Sequence, residues 1–306
     1  MRGSSTQPPN PPQHPLPGES LPTASGRPPV TDWPAWMAPA VLVSGLLLAA
    51  FGGLLIDLPA AAFGVDITAS HVPAGLVIAD TVVQDIAFVL AAVIFAQMGG
   101  RKVRAPQFGL RAPNVGWWGT IGRIAVLIVV YLLFSWIWGA FVHAKPEKLL
   151  ETLGTNEGTA LLLLSAGLTC VVAPICEELL FRGFIFTALR NWLGTLPAAV
   201  ITGLLFGGVH YGSAPTLDLV PLAALGFGLC LLYRYTGSLY PSIVVHSLNN
   251  SVAFASLENW TWWQGAILIA SALLLIGALV LVAKRVGVIS AELPPSCGAP
   301  AVVTSA

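Results

Sequence analysis

Residues 158–182, GTALLLLSAGLTCVVAPICEELLFR, decide the fold of this protein. The stretch is almost continuously apolar and is long enough to cross the roughly 30 Å hydrocarbon core of a bilayer as a helix. It ends on two adjacent carboxylates and an arginine, Glu177, Glu178 and Arg182. Ionisable side chains at membrane depth are costly, and they usually have a function. The segment therefore predicts a membrane helix with a functional site inside it.

The composition of the whole chain is that of a membrane protein. Hydrophobic residues make up 56% of the 306 residues and charged residues 9%, whereas roughly a quarter of the residues in a soluble domain are charged. The mean hydropathy is +0.80. This composition predicts that the lipid bilayer surrounds the protein. The formal net charge is zero, so the sequence gives no reason to expect a nucleic acid as partner.

Apolar segments of spanning length recur along the chain. Each has about 17 to 25 residues, as a helix that crosses a bilayer requires. We therefore predict an all-α polytopic membrane protein with about eight transmembrane helices. The eight segments lie near residues 37–56, 77–98, 119–142, 158–182, 195–211, 217–235, 239–256 and 262–283.

The two ends of the chain differ from this membrane domain. Residues 1–33 are rich in proline and serine and lack apolar periodicity, which predicts a disordered tail. Residues 34–285 form the predicted membrane domain, and its polar motifs lie between residues 158 and 256. Residues 286–306 again have the composition of a flexible tail.

Basic residues predict the orientation in the membrane. With eight spans, most lysines and arginines near the helix ends fall on one side, and such residues favour the cytoplasmic face. Both termini are therefore predicted to be cytoplasmic. The residues on that side are Arg101, Lys102, Arg104, Arg111, Arg123, Arg190, Arg234, Lys284 and Arg285.

Two polar residues on consecutive helices are predicted to meet. The fourth helix can continue to Arg190 and turn near Gly194, after which the fifth helix runs antiparallel to it. Glu177 and His210 then both lie roughly 22 to 26 Å from the turn at 1.5 Å per residue. A carboxylate and an imidazole at equal depth could bind and deprotonate a water molecule.

Spacings of four residues place further polar groups on shared helix faces. His246 and Asn250 are separated by four residues and could supply hydrogen-bond donors to a developing oxyanion. Glu178 and Arg182 have the same spacing and could form an ion pair with a supporting role. Glu177 and the two histidines also resemble the ligands of a zinc ion that activates water.

Three short motifs in succession identify a family resemblance. The runs EELLFR, FGGVH and HSLNN, which begin at Glu177, Phe206 and His246, resemble the pattern EExxxR, FxxxH and HxxxN of the CAAX prenyl protease and bacteriocin-processing family. The resemblance implies an eight-helix fold with a catalytic cavity that opens to the cytosol. It implies water activation at Glu177 and His210, and oxyanion binding at His246 and Asn250. Members are classed as metalloproteases, so the site either holds a divalent metal such as zinc at Glu177, His210 and His246 or works without one.

The predicted function is that of an intramembrane endopeptidase that cleaves a membrane-associated or lipid-modified peptide, with the bacterial plasma membrane as the expected location. Two alternatives use the same residues differently. One is a non-hydrolytic protein for bacteriocin immunity or partner scaffolding, and the other is a proton-coupled transporter. Cys176 is a weaker candidate nucleophile, and no partner is predicted for Asp80 or Asp85.

Overall fold

The computed structural model describes residues 31–67, 72–142 and 158–289. In these ranges the chain forms long helices and no β-strand, which confirms the predicted all-α class. The helices are α1 (Met37–Ala62), α2 (Ala74–Gln97), α3 (Gly116–Phe141), α4 (Thr159–Leu193), α5 (Thr195–Val209), α6 (Leu219–Thr236), α7 (Tyr240–Leu257) and α8 (Trp262–Arg285).

Each predicted apolar segment corresponds to one of these helices. Six helices, namely α1, α2, α3, α4, α6 and α8, are long and apolar enough to cross a membrane. Helix α5 is shorter, with 15 residues, and α7 carries a polar group of side chains that includes His246, Asn249 and Asn250. The polytopic membrane character is therefore confirmed, and the number of crossings stays a prediction.

Helix α4 lies at the centre of the bundle. It packs against α1 and α2 on one side, against α5 and α6 on another, and against α7 and α8. Helix α3 is peripheral and contacts α6 and α7. Because its neighbours surround α4 on most sides, residues 180–189 of this helix are buried without interruption, and polar groups placed there are shielded from bulk water.

Glycines allow α5 and α6 to approach each other closely. A Cβ atom added at Gly203 would lie 2.7 Å from the carbonyl oxygen of Ala223 and 2.8 Å from the backbone nitrogen of Phe227. Gly207 is equally crowded, whereas a Cβ at Gly208 would meet nothing within 4 Å. The first two glycines thus have the packing role that small residues often have in membranes, and they hold the helix that ends at His210.

The packed structure begins before the boundary predicted at residue 33. Trp33 is buried, its ring stacks on Phe184 at a centroid distance of 4.5 Å, and its Nε1 atom donates to the carbonyl of Ala96. Asn191 donates to the carbonyl of Thr31. These contacts correct the predicted tail boundary, because residues 31–33 belong to the bundle. Residues 1–30 and 290–306 lie outside the described residues.

The loop between α2 and α3 packs over the turn between α6 and α7. It contains the short 3-10 helix Ala105–Phe108. Arg111 donates to the carbonyl of Gly237, and Ser238 donates to the carbonyl of Arg111. The backbone nitrogen of Asn114 donates to the carbonyl of Thr236. This loop and that turn therefore lie at the same end of the bundle.

Candidate active site

Two wide turns interrupt the regular geometry of α4 on either side of the motif residues. The segments Leu168–Val172 and Leu179–Phe186 are π-helical, and such segments occur frequently at functional sites. Side chains bond to carbonyl groups in these turns. Ser247 donates to Cys170 and Asn250 to Thr169 in the first turn, and Thr187 donates to the carbonyl of Arg182 in the second. The first wide turn is thereby linked to α7, and the second is bonded within α4.

Glu178 and Arg182 form a fully buried ion pair. Nη1 of Arg182 lies 2.7 Å from Oε1 of Glu178, and both side chains are 0% exposed. Nη2 of Arg182 donates to the carbonyl of Gly226 on α6 at 3.2 Å. The guanidinium group also lies over the ring of Phe206, 4.4 Å from its centroid. The pairing expected from the four-residue spacing is therefore present, and it ties α4 to both α5 and α6.

His246 is oriented by the same carboxylate. Its Nδ1 atom lies 3.0 Å from Oε1 of Glu178. A carboxylate accepts hydrogen bonds and does not donate them, so Nδ1 carries the proton and donates to Glu178. Phe206 meets the imidazole edge to face at a centroid distance of 5.3 Å. These contacts fix the ring and leave Nε2 facing Glu177.

His210 is oriented by its own helix. It follows the last residue of α5, and its Nδ1 atom lies 2.7 Å from the carbonyl oxygen of Phe206. Because a carbonyl oxygen only accepts, Nδ1 carries the proton and Nε2 has a free lone pair when the ring is neutral. The ring also contacts the side chain of Phe206 at a centroid distance of 4.9 Å. Phe206 therefore supports both histidines.

Both histidines approach Glu177. Oε2 of Glu177 lies 4.0 Å from Nε2 of His210 and 3.8 Å from Nε2 of His246. This oxygen is buried and has no hydrogen-bond partner among the described residues. Separations of this size fit one water molecule that bonds to two groups at about 2.8 Å each. The meeting of Glu177 and His210 predicted from helix depth is present, and the arrangement can hold and polarise a water molecule.

Asn250 lies one helical turn beyond His246, and part of its hydrogen-bonding capacity is already used. Its Nδ2 atom donates to the carbonyl of Thr169 at 3.0 Å, and its Oδ1 atom accepts from Asn249 at 3.3 Å. The amide has a second N–H group that can donate to a further acceptor. The sequence predicted Asn250 as a donor but did not reveal its bond to the wide turn of α4.

Asp85 is a buried group that sequence reasoning left without a partner. It lies on α2, is 2% exposed, and neither carboxyl oxygen has a hydrogen-bond partner among the described residues. It lies within electrostatic range of Glu177 and Cys176. Only the packing of α2 on α4 brings these groups together. Asp80 instead lines a separate cavity of about 250 Å³ with Asp57, and no motif residue lines it.

The predicted metal ligands do not match a zinc site as they stand. Zinc bonds of about 2.0–2.1 Å place tetrahedral ligand atoms roughly 3.4 Å apart. The distances from Glu177 to His210 and His246 are 4.0 Å and 3.8 Å. Across the described part of the chain, no three His, Cys, Asp or Glu side chains form a group that could hold a metal ion.

Comparison with known proteins agrees with this site. The profile described as "Type II CAAX prenyl endopeptidase Rce1-like" matches residues 159–252. Residues 159–252 are therefore similar to this family. The Rce1-like segment runs from the start of α4 into α7 and contains every motif residue described above.

A curated relative matches a similar length of chain. The Bacillus subtilis (strain 168) protein named "Putative membrane peptidase YdiL" is 35% identical over 89 residues. The match covers 29% of this chain and 35% of the relative, so the chain spans about a third of the length of that protein. No solved structure matches the chain significantly. The helices outside the Rce1-like segment therefore take no residue roles from these comparisons.

Proposed function

We propose that this protein is an intramembrane endopeptidase in which Glu177 and His210 activate a water molecule to cleave a peptide bond. The observation that carries the proposal is the unpartnered Oε2 atom of Glu177, a buried oxygen that faces Nε2 of His210 and Nε2 of His246. A free carboxylate oxygen beside an oriented imidazole lone pair is what general-base catalysis requires. The similarity of residues 159–252 to the Rce1-like family and the similarity to a protein named as a putative membrane peptidase support the same reaction class.

In the proposed reaction, a water molecule binds between Oε2 of Glu177 and Nε2 of His210. Glu177 accepts a proton as the water oxygen attacks the carbonyl carbon of the scissile peptide. The same proton then passes to the leaving amine, and Glu177 becomes a carboxylate again. His210 aims the water through its lone pair, since Phe206 fixes its tautomer.

The tetrahedral intermediate carries a negative oxygen that needs hydrogen-bond donors. Asn250 can donate its second N–H group. His246 can donate from Nε2 when its ring is protonated. Glu178 and Arg182 act as supporting residues because they hold His246 in place.

The proposed substrate is a membrane-associated peptide or a lipid-modified protein, because Glu177 lies on α4, which has the length and apolarity of a membrane span. The proposed location is the bacterial plasma membrane with the basic loops and both termini in the cytoplasm. The B. subtilis relative supports a bacterial membrane setting.

Peptide termini test the proposed activity directly. Membranes from cells that produce the native protein are compared by mass spectrometry with membranes that contain His210→Ala at matched levels. We expect peptide termini that appear with the native protein and disappear with the variant. Val209→Ala is the matched control, because it truncates the preceding residue of the same turn, and it should retain the termini. Identical termini in all three samples would contradict proteolysis.

Metal chelation tests the proposal that side chains catalyse the cleavage without a metal ion. We expect dialysis against EDTA or phenanthroline to change the cleavage rate by less than about twofold, because no step above uses a metal ion. A large loss of activity that zinc restores would contradict this expectation. It would show that Glu177 and the histidines move together to bind a metal.

A further inference from the structure

The two ends of the bundle differ in charge. The contacts of Trp33 with Ala96, of Asn191 with Thr31 and of Asn114 with Thr236 place the starts of α1 and α3 and the ends of α2, α4 and α6 together. We call this the basic end. Among the described residues, every Lys and Arg other than Arg182 lies near it, namely Arg101, Lys102, Arg104, Arg111, Arg123, Arg190, Arg234, Lys284 and Arg285.

A layer of aromatic rings separates the candidate site from the basic end. Its members lie after Glu178 on α4, before His210 on α5, and on α6. Two more come from the segment before α1 and from the loop between α2 and α3. The rings contact one another in pairs, with centroid distances of 5.3 Å for Phe181 and Phe206 and 6.2 Å for Phe186 and Tyr233. The layer consists of Trp33, Phe108, Phe181, Phe184, Phe186, Phe206 and Tyr233, all buried.

Among the described residues, the side chains around the site at the opposite end of the bundle are polar and partly exposed. The side chains of His210 and Glu177 are 22% and 11% exposed. Thr169, Asn249 and Asn250 lie beside them and are partly exposed. Directly after His210 the chain forms an exposed turn, residues 211–213. This turn lies at the end opposite the basic loops, because Trp138, near the end of α3, donates to the carbonyl of Leu217 just beyond it.

We propose that water and the scissile peptide reach Glu177 from the end of the bundle opposite the basic loops. The aromatic layer closes the other route, and the polar side chains of Thr169, Asn249 and Asn250 line the open one. Since basic loops favour the cytoplasmic face, the substrate is a peptide segment presented at the outer face of the membrane or just inside it. This departs from the cytosolic opening that the family resemblance implies, and it rests on the proposed peptidase function.

Thiol labelling in oriented vesicles tests the direction of access. Full-length variants with Cys176 and Cys297 replaced by serine carry one new cysteine each and are exposed to a charged, membrane-impermeant maleimide. Asn249→Cys and Thr169→Cys report on the site. Ser213→Cys reports on the exposed turn, and Arg104→Cys on the basic end. The parent with no new cysteine gives the background from the buried Cys170 and Cys230.

We expect Asn249→Cys, Thr169→Cys and Ser213→Cys to react from the outer face at least tenfold faster than from the cytoplasmic face, and Arg104→Cys to show the reverse. Reaction of the two site positions from the face that labels Arg104→Cys, or from neither face, would overturn the proposed route. Labelling of Arg104→Cys from outside the cell would overturn the outer-face substrate. Because labelling needs no cleavage, these results are independent of the search for peptide termini.

Discussion

Replacing Glu177 by glutamine should lower the rate of substrate cleavage by about 10³-fold, because glutamine cannot accept the proton of the attacking water. Glutamine has nearly the same volume as glutamate and can occupy the same place beside His210 and His246. The fold should therefore be retained. The rate is measured on a peptide substrate identified from the termini, with the purified protein in detergent or in lipid vesicles.

Two further variants sharpen this test. Glu258→Gln makes the same substitution at the end of α7, outside the site, and should leave the rate within about twofold. Glu177→Asp keeps a base but withdraws it by one methylene, so its rate should lie between those of the native protein and Glu177→Gln. A rate for Glu177→Gln within tenfold of native would remove Glu177 from the role of base.

Replacing Arg182 by methionine should destabilise the protein by about 3–5 kcal/mol, because the change leaves the carboxylate of Glu178 buried without its cation. Both side chains of the pair are 0% exposed, so water cannot take the place of the guanidinium group. The bond to the carbonyl of Gly226 is lost as well. Thermal unfolding in detergent should show a midpoint lowered by about 10 °C.

The double variant Glu178→Gln with Arg182→Met separates the charge from the packing. It removes both ions, and the glutamine oxygen can still accept from Nδ1 of His246. We expect it to recover at least half of the stability lost in the single variant, as neutral replacements of buried ion pairs often do. A single variant that unfolds within 2 °C of the native protein would contradict the assigned role of Arg182.

Much of the fold was predictable because the physical requirements of a bilayer are simple. Each apolar segment long enough to span it became a helix, and no strand interrupts them in the described ranges. Helix rise alone predicted that Glu177 and His210 would meet, since a short turn at Gly194 reverses the chain between them. The four-residue spacing similarly predicted the pair between Glu178 and Arg182.

The features that the sequence did not predict depend on contacts between residues that are far apart in the chain. Glu178 and His246 are 68 residues apart, and nothing local in either motif indicates that they bond. The first wide turn of α4 accepts hydrogen bonds from Ser247 and Asn250 of α7, so the sequence of α4 alone could not reveal it. The composition of residues 1–33 predicted a tail, and it could not reveal that Trp33 packs against α2 and α4.

The aromatic layer also determines where the membrane voltage falls. A wet polar cleft extends the outer solution towards the middle of the bilayer, so the potential difference is concentrated across the dry part that remains. A charge crossing that part experiences roughly 2.3 kcal/mol per 100 mV. Fully buried phenyl rings such as Phe181, Phe184 and Phe206 offer protons no relay through that part. The cell can therefore admit water to the middle of its membrane without discharging its electrochemical gradient.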